Sequence, residues 1–209
     1  MSFNFNYEIK LIKQGFSLIA GVDEAGIGPL AGPVVAAAVM INPQVYVAQK
    51  KWWQQIRDSK KLSEKKREDL FKFICDYASD FAIQSVAHET IDKINILQAS
   101  LLAMKKSIDG LKKFPDLILI DGRNIIKDLN VKQEAIIKGD DKILSIASAS
   151  ILAKAMRDNL MKQYHEEYPQ YNFVKHKGYP TREHRMLIKK FGPCPIHRKN
   201  FGSVKEFFV

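Results

Sequence analysis

Four carboxylates in this chain sit where short apolar runs give out. Asp23 and Glu24 follow Phe16–Val22, Asp121 closes Asp116–Asp121 (DLILID), and Asp140 comes just after Glu134–Lys138 (EAIIK), each close to a glycine. Runs of this length bounded by glycine and charge read as strands. Acids at the ends of several strands can converge at one edge of a sheet, and in α/β sheets that edge is where ligands bind.

The rest of the chain supplies the helices such a sheet needs. Pro33–Ile41 (PVVAAAVMI) and Phe81–Ala87 add two further strands. Leu70, Phe71, Ile74 and Tyr77 line one face of a helix over Glu64–Ala78, with Ser63 placed to cap it. Leu97, Leu101, Met104 and Ile108 form the stripe of a helix over Ile94–Leu111, and an Ala/Ser-rich helix runs from Asp141 to about Tyr168. No repeat or low-complexity stretch interrupts the pattern, so the expectation is a continuous α/β domain.

Carboxylates with few nitrogen or sulfur ligands select hard ions, Mg²⁺ or Mn²⁺, over zinc. Clustered acids repel unless a cation neutralises them. Two such ions can activate a water and stabilise the leaving oxygen of an in-line phosphoryl displacement, which is phosphodiester hydrolysis. Each acid alone also has an ordinary reading. An Asp beside Gly serves turns and helix caps, and Asp140 could cap the long helix. Asp23 and Glu24 would face opposite sides of a regular strand, so joint ligation requires the strand to end between them.

Charge bears on the partner. The chain carries 33 Lys and Arg against 23 Asp and Glu, a net +10. Twelve Lys and Arg against five Asp and Glu lie from Ser150 onward, so seven of the ten net positive charges fall in that part. A localised basic surface suits a polyanion, although a solvated basic face would have the same composition. No window reaches the roughly 18–20 uncharged apolar residues of a membrane span. Met1–Phe16 carries Glu8, Lys10 and Lys13 and lacks the apolar run and small-residue cleavage site of a secretory signal. Cys75 and Cys194 are too few for a disulfide scaffold and read as reduced thiols. A cytoplasmic protein is expected.

Taken together, eight ordered segments resemble the type 2 ribonucleases H, in particular bacterial ribonuclease HII. They are GVDEAGIGPLAGPVVAAAV, DSKKLSEKKRE, INILQASLLAM, LIDG, KGD, SASILAKAMRD, KHKGYPT and GPCPIHRKNF, and they cover nearly the whole chain. The resemblance implies an RNase H-like fold, a mixed central β-sheet flanked by helices with a small helical C-terminal portion. It implies a single catalytic domain over 1–209, with a core to about residue 170 and a basic portion from about 171 that grips the duplex.

The resemblance also implies an activity: cleavage of the RNA strand of RNA–DNA hybrids and incision 5′ of ribonucleotides embedded in DNA, leaving a 3′-hydroxyl and a 5′-phosphate. In the cell this removes misincorporated ribonucleotides and RNA primers. Matched position by position, the catalytic, metal-binding acids are Asp23, Glu24, Asp121 and Asp140, holding two Mn²⁺ or Mg²⁺ ions. Tyr179 is the tyrosine that packs against the sugar at the junction. Lys60, Lys154, His176 and Lys177 fall at positions suited to phosphate contacts.

The family's Gly-Arg-Gly, whose backbone meets the 2′-hydroxyl, is Gly26-Ile27-Gly28 here, so a phosphate-binding guanidinium is missing. Asp141 replaces a small or neutral polar residue, and the first turn of the long helix would favour it. Trp52 and Trp53 match no family motif and read as local packing.

Two rival readings remain. Ribonuclease HIII shares the acids but usually carries an extra N-terminal domain, whereas about twenty residues precede the first acidic motif here. A catalytically silent hybrid-binding protein would explain Ile27 but gains nothing from four repelling acids beside a phosphate backbone. A monomer is expected. The ending VKEFFV reads either as a short tail for a sliding clamp or as packing of the final turn.

Overall fold

A computed structural model describes residues 6–48, 53–56, 59 and 62–208. The elements in chain order are α1 (Asn6–Lys13), β1 (Ile19–Ala25), β2 (Val34–Met40), α2 (Pro43–Ala48), α3 (Glu64–Tyr77), β3 (Asp80–Val86), α4 (His88–Asp109), β4 (Leu117–Asp121), β5 (Lys132–Ile136) and α5 (Leu144–Glu167). Three shorter helices follow, α6 (Phe173–His176), α7 (Arg182–Phe191) and α8 (Gly202–Lys205).

The strands form one mixed sheet in the order β3-β2-β1-β4-β5. β1 pairs antiparallel with β2, and β2 with β3, while β1–β4 and β4–β5 are parallel. Alternation along β2 assigns the two faces. Ala37 and Val39 pack under α5 and α3 with Trp53, Ile56, Leu70 and Ile74, whereas Val34, Ala36 and Ala38 join Ile91, Ala99, Met104 and Ile108 of α4. The sheet is therefore sandwiched, as expected for the RNase H-like fold.

Close approach of α5 to β1 explains the small residues on both. A Cβ added to Gly21 would stand 2.2 Å from the Ser145 backbone carbonyl carbon, so β1 tolerates no side chain there. Farther along the chain, Leu30, Met161, Tyr171, Phe173, Ile188, Ile196 and Val204 make a separate apolar cluster that fixes α6 to α8 beside α5.

Several expectations shift in detail. β1 runs three residues beyond Val22, because Asp23, Glu24 and Ala25 still pair with Ala37, Ala36 and Val35 of β2; the strand does not end between the two acids. β5 sits at Lys132–Ile136 because parallel pairing with β4 sets its register, and the chain then turns at Lys138, whose φ is 56°. α4 begins early at His88 and breaks at Asn95 (φ 64°), whose side chain accepts from the Gln98 amide. The helix expected from Ile94 is the part beyond that break. Ser63 caps α3 as expected, accepting from the Lys66 amide.

Asp141 lies outside the first turn of the long helix. Gly139–Asp141 is a separate 3-10 turn, closed by the Ile143 and Lys142 amides donating to Gly139 O, and α5 starts at Leu144. Asp140 does not cap that helix either. Glu8 does so from α1, accepting from the Leu144 and Ser145 amides at 3.1 and 3.2 Å and from the Ser145 hydroxyl at 2.7 Å. Trp53 is buried and meets Phe73 edge-on at 5.0 Å; Trp52 lies outside the described residues. No described helix is long and apolar enough to cross a membrane.

Candidate active site

The sheet's alternation decides which acids can meet. Asp23 sits opposite Ala37, hence on the α5 face, and Asp121 follows Ile120, the partner of Val22 on the α4 face, so it too points toward α5. The 3-10 turn before α5 delivers Asp140 to the same side. Carboxylate oxygens of Asp23, Asp121 and Asp140 all lie within 4.8 Å of one another, the one such group among the described residues. Glu24 sits on the opposite pleat, opposite Ala36, and is not part of that trio. It is nonetheless an electrostatic neighbour.

Asp23 is 4% exposed. Its oxygen accepts from the Glu24 amide at 2.7 Å and from the Ser150 hydroxyl of α5. The Ser150 hydroxyl is in turn hydrogen-bonded to that of Ser59, 3.0 Å away. Burial, then the charges of Glu24 and Asp121, hold the Asp23 carboxyl well above the usual carboxylate range despite those hydrogen bonds. A buried acid among acids favours a cation beside it. Asp121 accepts from the Gly139 amide at 2.7 Å, which ties β4 to the turn bearing Asp140. Three oxygen donors with no nitrogen or sulfur among them fit a hard divalent ion.

A second layer of polar structure holds the adjacent loops. Arg157 and Arg198 are both fully buried. Arg198 donates to the carbonyls of Gly26 (2.6 Å), Ile27 (3.1 Å), Gly32 (2.9 Å) and Pro33 (3.2 Å). Arg157 donates to Ala31, Pro33 and Lys177. The Gly26–Pro33 loop is thus strung on two guanidiniums. Gly26 has φ 110°, and a Cβ there would meet Arg157 Nε at 2.4 Å, so this glycine is required twice over. Ile27 is 45% exposed, and a Cβ on Gly28 would stand 3.9 Å from Tyr179 Cε1. The loop and the tyrosine are neighbours.

Tyr179 is half-buried, with Lys154 Nζ 5.4 Å and the Arg157 guanidinium 5.7 Å from its ring centre. Lys154 is held by Asp158 at 2.6 Å, which also meets Arg67 at 3.3 Å. His176 is buried, and both its ring nitrogens are engaged inside the chain: Nε2 with Tyr171 O at 2.7 Å, and Nδ1 with the Gly178 amide at 3.2 Å. That leaves no ring nitrogen for a phosphate. The Lys177 ammonium folds back onto Val174 O and lies 3.8 Å from Glu64. Lys60 lies outside the described residues.

Sequence reasoning missed Glu8, Ser150, Arg157, His184, Arg198 and His197. One signal was present: Arg157 lies in line with Ala149, Ala153 and Met161 at i+4 spacing, an apolar stripe on which an arginine is out of place unless it bonds inward.

Comparison with known proteins agrees with this geometry. The model of the family "Ribonuclease HII" matches residues 20–204. The ribonuclease HII of Caldicellulosiruptor saccharolyticus is 51% identical, covering 94% of this chain and 93% of its own length. That of Endomicrobium trichonymphae is 48% identical over 97% and 93%. Among solved structures, ribonuclease H2 from Pyrococcus horikoshii OT3 superposes with a TM-score of 0.75 at 26% identity, covering 90% of this chain and 96% of that one. A match that begins in β1, ends in α8 and keeps about half the residues of bacterial relatives places the chain in their family: it belongs to the ribonuclease HII family and is a metal-dependent, type 2 ribonuclease H endoribonuclease.

Proposed function

We propose that this chain hydrolyses the RNA strand of RNA–DNA hybrids and incises duplex DNA on the 5′ side of an embedded ribonucleotide, leaving a 3′-hydroxyl and a 5′-phosphate. The observation that carries the reading is the trio Asp23, Asp121 and Asp140, within 4.8 Å of one another, two of them on the neighbouring parallel strands β1 and β4 and the third on the 3-10 turn before α5. These residues would hold Mn²⁺ or Mg²⁺, two ions in all, with Glu24 contributing from the other side of β1. Bound there, the ions supply Lewis acidity at the scissile phosphate and make a water acidic enough to attack. Ser150 and the Glu24 amide orient the Asp23 carboxylate, and the Gly139 amide orients Asp121.

On the substrate side, the backbone of Gly26, Ile27 and Gly28 meets the ribose 2′-hydroxyl, and the Tyr179 ring packs on the sugar. Lys154 and Lys60 serve the phosphates, while His176 and Lys177 shape the turn that carries Tyr179. The core to about residue 170 holds the acids, and the basic portion beyond it grips the duplex. The physiological work is excision of misincorporated ribonucleotides and primers by a cytoplasmic monomer. Phe207 and Phe208, exposed to 43% and 50%, offer a clamp-binding tail. Truncation after Lys205 should then abolish stimulation by a sliding clamp without lowering unstimulated cleavage.

The deciding experiment is incubation with a DNA duplex containing one ribonucleotide, with Mn²⁺, with Mg²⁺ and with chelator. A metal-dependent cut 5′ to the ribonucleotide is expected. An intact duplex beside a cleaved RNA–DNA hybrid would refute the junction activity.

A further inference from the structure

The C-terminal portion contains a histidine cluster that phosphate binding leaves unexplained. His176, His184 and His197 are 7%, 0% and 1% exposed. His176 and His184 stack with ring centres 4.3 Å apart, and Phe173 meets both edge-on. His184 Nε2 lies 3.1 Å from His197 Nε2, and His184 Nδ1 lies 3.0 Å from the backbone carbonyl of Tyr179.

These contacts point to one arrangement of the protons. Tyr179 O can only accept, so His184 carries its proton on Nδ1. A neutral His184 then offers a lone pair at Nε2, and His197 must donate to it from Nε2–H. That leaves His197 Nδ1 as an acceptor, which suits the Cys194 amide at 2.9 Å and the Cys194 thiol at 3.0 Å; the Cys194 carbonyl, 3.2 Å from the same nitrogen, then takes no proton from it. His176 donates from Nε2 to Tyr171 O and accepts at Nδ1 from Gly178, while its own carbonyl accepts from the Tyr179 amide at 2.8 Å. The Tyr179 amide therefore ends on the carbonyl of one stacked histidine, while Tyr179 O accepts from the ring of the other and from the Thr181 amide at 2.8 Å. Burial pushes His184 down to about 3 and His197 to about 4, so both are neutral at physiological pH. A proton added to His184 would set N–H against N–H at His197.

We infer that His184, anchored through His197 to the Cys194 amide, is a positioning residue for Tyr179: the directed chain Cys194 → His197 → His184 → Tyr179 O sets where the tyrosine ring meets the sugar. This deepens the substrate reading above and rests on the role given there to Tyr179. His184 touches no reacting atom and acts through the tyrosine's backbone alone.

A double-mutant cycle on a duplex with one embedded ribonucleotide tests it. His184→Gln moves the N–H away from Tyr179 O and should lower kcat/KM by about ten-fold when Tyr179 is present, but by less than about two-fold in a Tyr179→Ala background. His184→Asn keeps an N–H near the Nδ1 position and should recover most of the loss. An equal loss from His184→Gln in both backgrounds would show a merely structural histidine and overturn the inference. Full activity of Tyr179→Ala would overturn the role of Tyr179 instead, which is a separate failure.

Nitrogen-detected NMR of the imidazoles in the unmodified chain decides the matter even if the variants fold poorly. His184 is expected as the Nδ1–H tautomer, with His176 and His197 as Nε2–H. An Nε2–H signal from His184 would refute the chain of bonds.

Discussion

Glu8 is the residue whose removal tests the architecture most sharply. It sits in α1, 1% exposed, and its carboxylate takes up the Leu144 amide, the Ser145 amide and the Ser145 hydroxyl at the start of α5. Glu8→Ala strips the acceptor from three buried donors at once. Each orphaned donor costs about 1–3 kcal/mol, and the loss of an anion at a helix N-terminus adds to this. Water entering the vacated space recovers part of the sum, which leaves about 3 kcal/mol. For a chain of this size that lowers Tm by about 6–12 °C.

Glu8→Gln retains one acceptor oxygen and should cost about half as much, roughly 1–1.5 kcal/mol. Thermal melting followed by circular dichroism, paired with urea titration at constant m-value, reads both. If Glu8→Ala melted within about 2 °C of the parent, or if Glu8→Gln were the worse of the two, the capping argument would be wrong. Because Asp140 lies four residues before Leu144, the same variants should weaken Mn²⁺ binding while leaving every acidic ligand in place.

Asp23→Asn should abolish cleavage yet raise the metal-free Tm at neutral pH, since the carboxylate it replaces is held well above the usual range by burial and its acidic neighbours. The stability the folded state gains from a protonated Asp23 is present in acid and lost as pH rises through its raised pKa, so the difference between the two proteins should vanish in acid; a variant less stable than the parent at neutral pH would contradict this. Ile27→Arg, at a 45% exposed position, should tighten binding of ribonucleotide-containing duplex about five- to ten-fold, worth about 1–1.4 kcal/mol, and unchanged affinity would show the guanidinium is not missed. Acid should destabilise the C-terminal portion through His184 and His197. Their depressed pKa values leave their contribution complete above the ordinary histidine range and erode it below, by roughly 1–2 kcal/mol each at about pH 5. His184→Asn should flatten the Tm profile between about pH 6.5 and 4.5, and an unaltered slope would sink the assignment.

The acids were legible in the sequence because strand-length runs and glycines mark where a sheet ends, and those features are local. The sheet's two-residue repeat then sorted them, and only pairing partners could reveal that β1 continues past Glu24 and turns it to the other face. Helix starts were less legible wherever the cap came from far away. Asp141 looked like a first-turn acid, but the α5 cap comes from Glu8, 136 residues earlier, and no window of sequence contains both. His176 looked basic among lysines because composition cannot distinguish a ring aimed at solvent from one whose two nitrogens already have partners. The buried arginines escaped for a related reason: their acceptors are backbone carbonyls, which every residue has.

The absent side chain at Gly21 reaches beyond packing. With a Cβ there only 2.2 Å from the Ser145 backbone, Gly21 acts as a spacer of fixed thickness between β1 and α5. Asp23 and Asp121 ride on one side of that gap and Asp140 enters from the other. The gap therefore sets the size of the oxygen cage. Mg²⁺ demands oxygen distances of about 2.0–2.1 Å with little tolerance, whereas Ca²⁺ accepts about 2.3–2.6 Å. Widening the gap by one methyl group, as in Gly21→Ala, is therefore expected to shift the preference of the acids toward the larger ion before it touches any ligand, and an unchanged Mg²⁺-to-Ca²⁺ affinity ratio on titration would show that the backbone contact two residues from the nearest acid does not set ion selectivity.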